Sequence, residues 1–577
     1  MYQTLRWIAS LPVLFSCLLL PALGTVAQPL PPNTLEGIEE EIIPNQFQSP
    51  DFLPEASPAP PPEPGLQIPS SPQFREDTIP STAPFRVNKV KVSGSTVLQA
   101  EIAKLTEDYE GKQVRFEQLL QLCFKITELY KENGYITSGA FLPPQDLSDG
   151  SDGIVVEIQV VEGGIEEIEL IGLNRLREGY VRSRLELATK APLNQTRLEE
   201  ALKLLQLDPL FKTNQLNADL IPGSGSGKNI LQVTLEESPA FHAGVSTANN
   251  QSPSIGSLQT SAFIGHNNLL GFGDRFNAQY SFTEGLNLYD ISYAIPVNPH
   301  NGTLRVSYNN GDSNITEERF EEFDIESGTR TFSAGFRQPI LRSPETEFAL
   351  SLALDLRRSQ SFLLGEPFSF SVGPEDGESR VTVLRFAQDW LDRSSPNRIL
   401  AARSQFSFGL DAFDATVNNT GTDGRFFSWL GQFQWVQQLS PKVRLVTQLN
   451  AQLTPDSLLS LERFSMGGVD TVRGYRQNQL VADNGILGSV EAYIPLSSDP
   501  KILQLAPFFE FGTAWNNQDP DPDPATIASL GLSLRWQIRP DVDLRLDYGI
   551  PLIEVNNRGN SLQENGFHFS LRYQPWR

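Results

Sequence analysis

Arg473 lies in the stretch FSMGGVDTVRGYRQNQ (464–479), where the chain stops alternating apolar and polar residues, Gly467 and Gly468 stand together, and Val472-Arg473-Gly474-Tyr475 follows. An arginine in such a break is either solvated or folded against protein. In the second case it needs a carboxylate, because its planar fork of donors matches one and an unpaired buried charge is costly. A candidate stands in PFFEFGTAW, where Glu510 sits between Phe509 and Phe511. Successive side chains of a strand point to opposite faces, so if the two aromatics meet an apolar medium, Glu510 faces the other way. Gly474 lets the chain turn sharply beside such a wall. In a wet interior the contact is worth about 1–3 kcal/mol, between an open surface pair and a dry one.

No other constellation points to catalysis. His242, His266, His300 and His568 are scattered, and there is no HExxH, no paired cysteines and no nucleophile elbow. PGSGSGKN (222–229) imitates a phosphate loop, but only three residues separate Gly223 from the Gly-Lys pair, and Asn229 stands where a hydroxyl is needed. A flexible hairpin loop accounts for it. DLSDGSDG (146–153) lacks the spacing and closing glutamate of a calcium loop and reads as a turn. The expectation is a protein that is not an enzyme and uses no cofactor or metal.

The elements that must position these residues begin with a leader. Arg6, the apolar run Trp7–Leu23 and Thr25-Val26-Ala27 before Gln28 have the layout of a secretory signal peptide over 1–27. Cleavage removes Cys17, so Cys123 stands alone and packs as a small hydrophobe in the apolar helix face LLQLCFKITELY. A length of 577 residues implies several domains, and a formal charge of −24 argues against a nucleic-acid partner. The mature chain has no run of about 18 apolar residues, the minimum for a spanning helix. A membrane β-barrel stays open, because alternating strands leave little trace in mean hydropathy.

Residues 28–84 are crowded with proline and read as an extended spacer, with TLEGIEEEII (34–43) as a possible short acidic helix. Two units of like grammar follow at 85–162 and 163–238, each β-α-α-β-β, with helices near 98–107 and 115–132, then 177–188 and 194–206. Gly94 and Gly172 close the opening strands. From residue 239 to 577 only strands are legible. EFALSLALDLRR places Phe348, Leu350, Leu352, Leu354 and Leu356 on one face, and GFHFSLRY sets Phe567, Phe569, Leu571 and Tyr573 against His568, Ser570 and Arg572. About sixteen such runs fit strands crossing a membrane at a tilt. A soluble sandwich is the alternative. Arginine, aspartate and glutamine recurring on the polar face suit a wet lumen better, and tyrosine, tryptophan and proline at strand ends suit a membrane interface. The stretch around Arg473 then forms a long extracellular loop (about 454–484) that can fold inward.

VRGY at 472–475 and the Phe508-x-Glu510-x-Gly512 run resemble the two signature motifs of two-partner secretion transporters, the haemolysin and filamentous-haemagglutinin exporter family within the barrel-assembly superfamily. NLLGFGD (268–274) is also similar. That family normally carries aspartate where Glu510 stands, and it often finishes on an aromatic where this chain has Trp576-Arg577. The resemblance implies a membrane all-β fold: a sixteen-stranded barrel preceded by two polypeptide-transport-associated (POTRA) modules. It implies an outer-membrane location with the modules in the periplasm, and export of an unfolded exoprotein. The implied partners are that exoprotein, outer-membrane lipid and the barrel-assembly machinery, with the transporter a monomer. An assembly insertase of the same superfamily and a passive porin are the rival readings.

Overall fold

The computed structural model describes residues 65–67, 83–146, 153–212, 215–318, 320–556 and 558–576. The expected signal peptide, the acidic stretch 34–43, most of the proline-rich spacer and most of the 146–153 turn lie outside the described residues.

The first module is a four-stranded sheet in the order Lys112–Val114, Phe85–Ser93, Ile154–Val161, Gly139–Phe141, with helices α1 (Gln99–Glu107) and α2 (Phe116–Glu132) against it. Helix α2 buries Leu119, Leu122, Cys123, Ile126 and Tyr130, the spacing of one helical face, onto Val87, Val156 and Ile158. Burial in that core pushes the Cys123 thiol up to about 11. The second module repeats the plan with Gly164–Ile171, α3 (Glu178–Glu186), α4 (Gln195–Gln206), Asn217–Pro222 and Lys228–Thr234. PGSGSGKN is its hairpin turn, joining the last two of these strands.

The structure adds two strands to the expected plan. Lys112–Val114 fills the connection between α1 and α2. Gly65–Gln67, inside the proline-rich spacer, pairs in parallel with Asn217–Asp219, and Leu66 packs on the core of the second module. The spacer is therefore tied down here, where a short run free of proline keeps its backbone donors and offers one leucine.

The duplication extends to atomic detail. Gly94 (φ +87°) and Gly172 (φ +96°) both adopt left-handed backbone, and a Cβ would strike the carbonyl oxygen of Val160 at 2.3 Å or of Leu235 at 2.0 Å. Just beyond each glycine a turn is capped by a glutamate from the end of the module. Glu162 accepts from the N–H groups of Thr96 (2.6 Å) and Val97 (3.1 Å) and from the Tyr130 hydroxyl (2.8 Å). Glu237 accepts from the N–H groups of Asn174 (2.7 Å), Arg175 (2.9 Å) and Leu176 (2.9 Å).

From Phe241 the chain forms a closed antiparallel barrel. Its strands are β1 (Phe241–Ala248), β2 (Gln259–Asn267), β3 (Arg275–Phe282), β4 (Leu286–Pro296), β5 (Thr303–Asn314), β6 (Ile325–Arg342), β7 (Thr346–Leu363) and β8 (Glu378–Ser395). They continue as β9 (Arg398–Leu410), β10 (Phe427–Gln438), β11 (Arg444–Leu453), β12 (Asn484–Pro495), β13 (Leu503–Trp515), β14 (Thr526–Arg539), β15 (Val542–Pro551) and β16 (Phe567–Trp576). Closure runs from Ser570↔Ala248 to Trp576↔Ala243, so β16 seals against β1. Leu352, Phe509, Phe511, Leu532 and Tyr548 are exposed on the outer face, while Glu510, Ser533, Asp547 and His568 are buried on the inner one. That is the alternation of a lipid-facing cylinder with a polar lumen. Among the described residues no helix is long and apolar enough to cross a membrane.

The second module docks on the turns that open β3 and β5. Arg177 donates its N–H to the Gly271 carbonyl (3.0 Å) and lays its guanidinium 3.9 Å from the Phe272 ring centre. A Cβ on Gly273 would lie 2.5 Å from the Tyr180 ring, so the family-like NLLGFGD turn is a docking surface. Arg184 reaches the Asn301 side-chain oxygen (2.9 Å).

The two glutamate caps should make the modules acid-labile. Partial burial opposes the charge on Glu162 and Glu237, yet the converging donors outweigh it and hold both carboxyls below the usual glutamate range. A depressed folded pKa contributes stability that is present above the unfolded value, about 4.3, and is lost as pH falls through the folded one. Limited proteolysis of the full chain should show the modules opening below about pH 4. Glu162→Gln should open the first module already at neutral pH; unchanged protection would refute the cap.

Candidate functional site

The long connection between β11 and β12 folds back into the lumen as a hairpin, with Phe464–Met466 paired antiparallel to Leu480–Ala482. Gly467 (φ +112°) and Gly468 (φ +91°) turn it, and a Cβ on Gly467 would sit 2.5 Å from the Arg476 carbonyl. The Thr471 hydroxyl closes the turn by donating to the Gly467 carbonyl at 2.9 Å. This delivers Arg473 to the barrel wall.

Arg473 is 3% exposed and Glu510 likewise 3%. Glu510 accepts the Arg473 backbone N–H (2.7 Å), Nε (2.8 Å) and Nη2 (2.5 Å). Nη1 donates to Glu491 on β12 (3.0 Å) and to Asp547 on β15 (2.8 Å). The guanidinium also stacks 3.4 Å from the Phe508 ring centre. Phe508, Glu510 and Gly512 occupy alternate, inward positions of β13, and each meets the loop. Gly512 makes room, since a Cβ there would lie 2.3 Å from the Met466 sulfur.

The rest of the VRGY run is equally fixed. Val472 is fully buried. Gly474 (φ +96°) crosses Gly549 of β15, where a Cβ would meet the Gly549 carbonyl at 2.9 Å, and its N–H donates to His568 Nε2 at 3.3 Å. The Tyr475 hydroxyl lies 2.9 Å from the carbonyls of both Ala528 and Ile553. Phe464, Met466, Val472, Tyr475 and Leu480 form an apolar cluster with Leu487, Ala514 and Ile527 of the wall.

The single Arg473–Glu510 pair expected in a wet lumen is thus a dry network, because the loop's own apolar residues exclude water around it. Glu491 and Asp547 were not singled out from the sequence, and neither was His568 beyond its exclusion as a metal ligand. Asp547 also holds Arg545 Nε at 2.8 Å, and Glu491 accepts from the Tyr493 hydroxyl. Arg535 lies beside Glu491 (3.4 Å), and Asp470 of the loop and Arg444 of β11 add a further charge of each sign nearby, so the wall around Arg473 is a mixed ionic network.

A second ionic contact holds the loop's other end. Glu462 is engaged by Arg357 Nη1 of β7 (2.5 Å) and Arg385 Nη2 of β8 (2.9 Å), and Arg385 Nε also meets Asp355 (2.6 Å). Leu458, Leu459 and Leu461 pack there on Val381, Val383 and Phe426. Its only sequence signal was a lone acid in an apolar run, LLSLERF. Among the described residues no group of three or more His, Cys, Asp or Glu is placed to hold a metal ion.

Residues 227–536 match the family "Haemolysin secretion/activation protein ShlB/FhaC/HecB", and residues 85–163 match the ShlB-type POTRA domain. The chain belongs to that family. It is 23% identical over 536 residues to the outer membrane transporter CdiB of Escherichia coli, across 90% of this chain and 86% of the relative. It is 22% identical over 452 residues to the heme/hemopexin transporter protein HuxB of Haemophilus influenzae, across 74% and 76%. In fold it is similar to CdiB from Escherichia coli, with a TM-score of 0.64 and 21% identity over 87% of this chain and 92% of that one. BamA from Haemophilus ducreyi lacking POTRA domains 1-3 gives 0.52 at 15% identity, over 85% and 100%. The protein is an outer-membrane β-barrel transporter with its modules in the periplasm.

The carboxylates of the network should not count equally. Glu510 takes three Arg473 N–H groups and Glu491 one, so Glu510→Gln should lower barrel stability by several kcal/mol, about 3–5 being the cost of breaking a buried pair. Glu491→Gln takes away only one Arg473 acceptor, although Tyr493 and Arg535 also lose their carboxylate, and should cost less than Glu510→Gln. The temperature at which the folded band is lost on detergent gels measures both; equal shifts would sink the ranking.

Proposed function

We propose that this transporter exports one large exoprotein through its barrel, with the modules capturing the polypeptide unfolded in the periplasm and the Arg473 loop setting the transport-competent state of the lumen. The observation that carries the reading is a loop tip held inside the lumen by β12, β13 and β15, in a barrel whose periplasmic turns carry the docked second module, with the first module preceding it. A passive porin has no use for the modules.

Capture by strand addition needs a free sheet edge. The edges of the first module are strands of three residues, and in the second the linker segment Gly65–Gln67 covers Asn217–Asp219. Gly164–Ile171 is the long remaining edge, and there an exoprotein segment can extend the sheet. Net movement then draws on the exoprotein folding outside the cell, without nucleotide.

Arg473→Ala should abolish appearance of the exoprotein in the medium, while the barrel still assembles and keeps its folded band on gels. Glu510→Asp, which keeps the charge and shortens the arm by one methylene, should secrete; Glu510→Ala should not. Co-expression with a signal-bearing, β-helical protein encoded beside it is the assay. Normal secretion by Arg473→Ala would refute the role of the loop.

A further inference from the structure

The open part of the lumen has a charge that the chain as a whole does not. A cavity of about 700 Å³ lies in the periplasmic half, against β3 to β9. It is lined by Arg275, Arg305, Arg337, Arg393 and Arg403, against Glu347 and Asp389. Both acids are already engaged, Glu347 by Arg337 (2.7 Å) and Asp389 by Arg403 (2.7 Å) and Arg337 (3.2 Å). In a protein of formal charge −24 this wall carries an excess of guanidinium. The arginine side chains face inward, because Leu304 and Phe336, next to Arg305 and Arg337 on the same strands, are exposed on the outer face, as are Leu352 and Trp390, whose alternate neighbours Ser351 and Asp389 line the cavity. Arg275, Arg305 and Arg393 are exposed residues of this wall, with Glu347 in Coulombic reach of Arg393.

The choice of cation is also one-sided. From residue 239 onward the only lysines are Lys442 and Lys501, both in short connections, so every strand-borne Lys/Arg cation of the barrel is an arginine. Arginine pairs a carboxylate through two parallel bonds and is less strongly hydrated than an ammonium, so it holds passing carboxylates without a deep pocket. Arg275 directly follows the 268–274 turn, and Arg305 follows the turn bearing Asn301, so the patch begins where the second module docks.

We propose that this wall is an anion-binding entry site, which takes carboxylate side chains of the polypeptide as it passes from the modules into the barrel. A lumen lined by arginines concentrates anions and repels cations, so acidic or neutral segments enter and basic ones are held back. That the traveller is an exoprotein rests on the export reading above; the anion preference does not.

The test uses the full chain in planar bilayers under a KCl gradient. The reversal potential should report chloride preferred over potassium, and Arg275→Ala with Arg305→Ala should reduce the permeability ratio at least about threefold. Arg275→Lys with Arg305→Lys should retain it, and Lys442→Ala, in a connection away from the patch, should leave it unchanged. Hexaglutamate added on the module side should block current in a salt-sensitive way, as a screened contact must, and hexalysine should not. Potassium preference in the unmodified protein, an unaltered ratio in the double alanine variant, or equal block by the two peptides would each overturn the proposal. Secretion by Arg473→Ala is read separately, so failure of the export reading leaves this result standing.

Discussion

The charge of Arg473 cannot be left alone in the dry interior where it sits. Moving a guanidinium out of water is repaid only if its donors are satisfied and its charge is matched. Here satisfaction takes carboxylates from three strands and a ring face from one of them, so the loop fits one place on the wall. Much of the neighbouring sequence follows from that placement. Gly474 crosses Gly549, and Gly512 clears Met466, because side chains there would hold the guanidinium away from Glu510. The two motifs are halves of a single contact.

The loop is also a strut. At one end it supplies a cation to a wall rich in carboxylates, and at the other an anion, Glu462, to a wall where two arginines outnumber Asp355. The two anchors have opposite sign. Withdrawal of the loop would take the Arg473 donors from Glu510 and Glu462 from Arg357 and Arg385, and would uncover the apolar cluster around Tyr475 and Val472. A large change of this kind needs a ligand that binds the open state much more tightly. A polypeptide with many contacts along the wall can supply that difference, and a small solute cannot.

Architecture was legible wherever a period governs it. Alternation of two exposed the barrel strands, the 3.6-residue stripe exposed α2, and the repeated strand-glycine pairs exposed the duplicated modules. Glu510 was legible because two phenylalanines bracket it, which fixes its side. Glu491 and Asp547 were not, since each is one of several polar residues on the inner face of its strand. Which of them meets Arg473 depends on stagger between neighbouring strands and on where the hairpin tip lands, and neither leaves a local signature. The spacer strand at Gly65–Gln67 was hidden for a different reason: three residues show no period, and the proline around them argues for extension without saying what the extended chain lies against.

Charge orders the parts along one axis. The second module sits at the periplasmic mouth through Arg177 and Arg184, the arginine-lined cavity begins at the same turns, and the loop with its paired charges lies beyond it. On the export reading proposed above, a chain moving outward meets the arginine-lined wall first and the Arg473 network second. Carboxylates gathered at the first are the groups able to compete for Arg357 and Arg385, which hold Glu462 by ionic bonds at the loop's near-neutral anchor. On the export reading, opening of the strut starts at the Glu462 end, on the wall continuous with the entry cavity, and Arg473, whose donors are shared among three acids and shielded by Phe508, is the last contact to move.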